Sequence, residues 1–76
     1  MSEQKMLALL RMYMHSYQSW LARDLQYNDA SSRRNVLYAM GKFNAGYVMV
    51  HSAGIKIPQE IEDVYKSSEY EFDRAI

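Results

Sequence analysis

The stretch NDASSRRNVLYAMG, residues 28–41, decides the fold. Asn28, Asp29, Ser31 and Ser32 carry short polar side chains that bond to nearby backbone, so they end one helix and open another. Directly after them the apolar residues take helical spacing. Val36, Met40, Phe43, Tyr47 and Val50 are separated by four, three, four and three, with Leu37, Asn44, Val48 and His51 beside them. This predicts a helix over about 31–53. Gly54 follows the last periodic residues, where a left-handed terminus suits a residue without Cβ.

Working back from the turn, Leu7, Leu10, Met14, Tyr17, Leu21 and Leu25 form an equally regular stripe, widened on one side by Met6, Tyr13 and Trp20. A helix over about 3–27 follows, with Ser2 as its N-cap. Two long helices joined by a short polar connection pack as an antiparallel hairpin. With the turn centred near residues 28–30, facing residue numbers sum to about 58. Tyr17 then meets Gly41, and Tyr13 lies near Gly46. Each mid-helix glycine costs about 1 kcal/mol in propensity against alanine, a loss that a tyrosine ring packed on bare backbone offsets.

Beyond Gly54, Ile55-Lys56-Ile57-Pro58 leads into a third helix over about 58–66. Pro58 suits its first position, and Gln59, Glu60, Glu62 and Asp63 place negative charge where the helix dipole favours it. Ile61, Val64 and Tyr65 supply its apolar face. Ser68 and Glu71 have capping-box spacing, predicting a further short helix over about 68–75, with an extended tail as the alternative. The expected fold class is therefore all-α: one small domain, 1–76, in which a hairpin of two long helices is covered by one or two shorter C-terminal helices.

Composition narrows the chemistry. Cysteine is absent, which excludes disulfides and thiolate metal sites. The apolar fraction of 49% is too high for a disordered chain, yet it is spread through periodic segments and never forms a run of about 18 residues. No membrane partner is expected. The N-terminal MSEQK is polar and resembles no leader, so a cytoplasmic setting is expected. Net charge is zero, which argues against nucleic acid as a partner. That zero hides an asymmetry: residues 28–57 carry four basic side chains and one acidic, whereas residues 58–76 carry two basic and six acidic.

No catalytic or cofactor constellation stands out. In the hairpin register His15 and His51 lie about a dozen ångströms apart along the axis, and neither belongs to an HExxH or an i, i+4 histidine pair. No serine sits in a nucleophile elbow. The reading is a protein without catalytic residues, metal or cofactor, and not an enzyme.

Seven tyrosines, six methionines and one tryptophan are the compositional oddity. Tyr13, Tyr17, Trp20, Met40, Phe43 and Tyr47 fall on the stripes and are read as core. Met12, Tyr27, Tyr38 and Met49 fall away from them, so more than one face of the hairpin is apolar. Both residue types suit surfaces that become buried on binding. Met12, Tyr38 and Met49, with Tyr70 and Phe72 of the tail, form the candidate interaction surface, and the expected partner is another protein or a second copy in a homo-oligomer.

The stretch GYVMVHSAGIKIP, residues 46–58, is similar to helix-loop-helix ends in small bacterial and phage-encoded helical proteins. That likeness implies an accessory or inhibitory protein acting by stoichiometric binding. The alternative lies at the start of the second helix. Ser31 and Ser32 offer hydroxyls, Arg33 and Arg34 offer guanidinium forks, and Tyr27 offers a stacking ring to a phosphate-bearing small ligand, a nucleotide or cyclic dinucleotide held in an oligomer, with Lys42 or Lys56 contributing. In the simpler account these residues are solvated or paired with Asp29.

Overall fold

The computed structural model describes residues 2–75, with side chains for residues 2–68. It has three helices, α1 (Glu3–Tyr27), α2 (Ala30–Ser52) and α3 (Gln59–Ala75), and no strand among the described residues. The fold is all-α. α1 and α2 pack along most of their length, and α3 lies more lightly against one side of the pair.

Local chemistry explains each boundary. Ser2 is extended, and its hydroxyl accepts from the Lys5 N–H at 3.2 Å. α1 ends at Asn28, whose φ of 51° places it in the left-handed region and lets its N–H donate to the Asp24 carbonyl at 2.7 Å. Asp29 then caps α2, accepting from the Ser32 N–H at 2.7 Å. Only two residues separate the helices. α2 closes in a Schellman arrangement: Gly54 has φ 77°, its N–H donates to the His51 carbonyl, and the Ile55 N–H reaches the Val50 carbonyl.

The core is built from Leu10, Met14 and Tyr17 of α1, Val36, Ala39, Met40, Phe43 and Val50 of α2, and Ile61 of α3. Ile55 and Ile57 of the α2–α3 connection are also buried, pinning that loop to the hairpin. Tyr13, Trp20 and Tyr47 are half-buried against this core. Leu25, which continues the α1 stripe, is exposed, because it stands in the last turn where α2 has only begun.

The axial register is close to simple counting, but the facing residue differs. Tyr17 stacks on Phe43, ring centroids 6.2 Å apart, and not on Gly41. Two residues along a helix is a rotation of about 200°, so with Phe43 on the core stripe Gly41 stands on the outside, where an added Cβ would meet nothing within 4 Å. Gly46 does lie against Tyr13.

The C-terminal segment is one helix, not two. Pro58 precedes it, its carbonyl accepting from the N–H groups of Ile61 and Glu62, and the helix runs unbroken to Ala75. Ser68 is fully buried inside α3. Its hydroxyl donates to the Tyr65 carbonyl at 2.7 Å and lies 3.2 Å from Asn44 Oδ1, so back-bonding within the helix replaces the expected cap. Tyr65 stacks on Tyr47 at 3.7 Å and meets Phe43 edge-on, while the Tyr47 hydroxyl donates to Glu62 at 2.8 Å. An exposed Arg11–Glu60 ion pair of 3.1 Å joins α1 to α3.

Candidate interaction surface

α3 takes up one long side of the hairpin, and the opposite side contains a groove of about 310 Å³. One wall is α1, where Met6, Leu9, Leu10 and Tyr13 recur at helical spacing. The other wall is α2, with Ala45 and Gly46 as its low part, Met49 and Val50 at one end and Lys42 at the other. A glycine and an alanine on adjacent positions make the concavity. A Cβ on Gly46 would already stand 3.3 Å from Leu10 Cδ1 and 3.3 Å from Tyr13 Cδ2, so the bare backbone is itself the floor.

The three described residues expected from sequence to form an interaction surface are all exposed: Met12 at 64%, Tyr38 at 66% and Met49 at 67%. Met49 lines the groove. Tyr38 continues the same side of α2, one turn before Lys42, whose Nζ sits 4.5 Å from the Tyr38 ring centroid. Met12 stands one turn beyond Leu9 on the outer edge of α1. Tyr70 and Phe72 lie in α3, and their side chains fall outside those described. Leu9 and Ala45 were not singled out from sequence. The signal for them was Gly46 opposite Tyr13, since a close approach of two helices leaves a depression beside it.

The Ser31–Arg34 end of α2 is organised differently from an open anion site. The Ser32 N–H and hydroxyl both go to Asp29, at 2.7 and 3.2 Å, and Ser32 is buried. Arg33 reaches Asp24 at 3.7 Å and Asn28 at 3.5 Å. Tyr27, Ser31 and Arg34 are exposed. The Ser32 backbone N–H holds the Asp29 carboxyl below its ordinary value of 3.8, opposed by partial desolvation and helped by the Ser32 hydroxyl and the Arg23 charge. The helix dipole thus already faces a carboxylate, supplied by the chain itself and bound to Ser32, not to an arginine. Asp24 Oδ1, beneath Arg33, is buried without a hydrogen-bond partner.

His15 and His51 are both exposed, and the His51 ring stacks against Tyr47 at 6.0 Å. Among the described residues no group of three histidine or carboxylate side chains is placed to hold a metal. A second cleft of about 280 Å³ at the α1–α3 seam takes in Tyr17, Gln18 and Leu21 with Asp63, Val64 and Ser67. Its carboxylate, Asp63, accepts from the Gln59 amide at 2.9 Å. Among the described residues, no helix is long and apolar enough to cross a membrane. Comparison with family models, curated proteins and solved structures returned no match.

Proposed function

We propose that the chain is a small, non-enzymatic protein-interaction module that acts by stoichiometric binding through the hairpin face opposite α3. The observation that carries this reading is the apolar groove over Gly46, rimmed by the exposed side chains of Leu9 and Met49 with Tyr38 and Met12 beside it. Exposed apolar groups gathered at a concavity are what a binding partner covers. Methionine, flexible and polarizable, adapts to the shape presented to it. The reading embraces a second copy of the chain as well as a different protein.

Photo-crosslinking in the cell that makes the protein tests it. A photoreactive amino acid in place of Met49 or Met12 is expected to give a discrete protein adduct, and the same group in place of Gln18 or Asp63, on the α3 side, none. An adduct of doubled mass identifies a second copy. Adducts of equal yield from both sides, or from neither, sink the proposal.

A second reading rests on a separate observation. Arg34, Tyr38 and Lys42 occupy successive turns of α2, and neither cation has a described carboxylate within ion-pair distance. A phosphate-bearing ligand could place its phosphates on the cations and a base on the Tyr38 ring, with a second copy closing the site. A melting temperature unmoved by millimolar inorganic phosphate or cyclic dinucleotide dismisses this reading.

A further inference from the structure

We infer that the groove over Gly46 receives one amphipathic α-helix of a different protein, carrying acidic residues along the flanks of its apolar stripe. This rests on the reading of that face as the interaction surface and specifies what occupies it.

Shape selects a helix. The groove runs along two antiparallel helices for about two turns, roughly 11 Å of axis, and its walls are side chains recurring every three or four residues. A third helix laid in it meets ridges at its own spacing and buries its apolar residues against Leu9, Tyr13 and Met49. An extended strand would find no free sheet edge here, since the described backbone is helical throughout the hairpin.

Charge selects the partner. Followed at helical spacing, the outer α1 row that borders the groove runs from Lys5 to Arg23, and the α2 row contains Arg34 and Lys42; neither of these two rows holds an Asp or Glu. Glu3, in the first turn of α1, is the nearest acid along that helix. Lys42 lies over the face of Tyr38, and among the described ion pairs none involves Lys5 or Lys42. These two lysines stand near opposite ends of the groove, about 18 Å apart along the axis by helix rise. A partner helix with carboxylates three turns apart, about eleven residues, reaches both. Like charges placed face to face are repulsive, so a two-fold pairing of this face with itself sets lysine against lysine. Anionic lipid is met by close clusters of about four to eight basic residues, whereas the bases of this face are strung out along two helices and the surface between Lys5 and Lys42 is concave.

The test uses the full chain and two synthetic helical peptides with an identical leucine stripe, one flanked by glutamates and the other by lysines, followed by fluorescence anisotropy. The glutamate peptide is expected to bind at least about tenfold more tightly, a difference of about 1.4 kcal/mol. Lys5→Glu with Lys42→Glu should invert the preference. Ala45→Trp, a change at an exposed position that fills the groove, should abolish binding of both peptides while circular dichroism shows the fold intact. Equal binding of the two peptides overturns the acidic partner and leaves the interaction surface standing. Binding of neither, with a crosslinked adduct of doubled mass from Met49, assigns the groove to a second copy and overturns the inference. Sedimentation with phosphatidylserine vesicles in place of peptide binding overturns it in favour of a lipid surface. If the crosslinking at Met49 and Met12 is also blank, the functional reading beneath it falls as well.

Discussion

Gly46 and Tyr13 are in direct contact across the hairpin: a Cβ on the glycine would stand 3.3 Å from Tyr13 Cδ2. That approach sets the depth of the groove and the spacing of α1 and α2. Gly46→Leu must displace the tyrosine ring and Leu10 together, and overpacking of this kind costs typically about 1–3 kcal/mol. The expected outcome is a lower melting temperature and loss of the groove, read by thermal unfolding and by the glutamate-flanked peptide.

Gly41 gives the opposite sign. Its surroundings are open, so Gly41→Ala removes a flexible residue from a helix interior and gains up to about 1 kcal/mol. The melting temperature should rise. A fall would place Gly41 against α1 and contradict the observed register, in which Tyr17 faces Phe43.

Among the described residues α3 is attached through Ile61 and Ser68, both fully buried, and through the Tyr47–Tyr65 stack. Ile61→Ala should cost about 2–5 kcal/mol, comparable with the whole stability of a single small core, about 3–5 kcal/mol. Tyr47→Phe keeps the stack and removes the hydroxyl donated to the Glu62 carboxylate, a loss of about 1.5–3 kcal/mol. Amide exchange across residues 59–68 should quicken strongly in the first variant and modestly in the second. Equal protection in both would mean that α3 is held elsewhere.

Asp29 makes stability respond to acid. Its folded-state pKa lies below the ordinary 3.8, so its contribution is fully present above 3.8 and is lost as pH falls through the lowered folded value. Asp29→Asn keeps a good cap but removes the titration. The wild-type melting temperature should therefore fall more steeply below pH 3.8 than that of the variant, the two curves being more nearly parallel above it. Parallel acid limbs would show that the Asp29–Ser32 bond does not persist in solution.

The two long helices and the start of the third were legible from spacing and caps alone. The stripes through Leu10 and Phe43, the Ser2 cap and the positive-φ stop at Gly54 are local features, each satisfied by backbone within a few residues. The hairpin followed from the shortness of the Asn28–Asp29 connection, and the exposure of Met12, Tyr38 and Met49 followed from their distance from the stripes. Tertiary structure decided what periodicity leaves open. Counting along two antiparallel helices says which residues stand at one level, not which of them turns inward, and of Gly41 and Phe43, about 200° apart around α2, it is Phe43 that meets Tyr17. Ser68 could cap a new helix or bond back within the old one, two local solutions of similar energy. Its burial against Asn44 selected the second. The groove, too, belongs to the tertiary structure, because it exists only where Gly46, Ala45 and Tyr13 from two helices meet and α3 has settled on the other side.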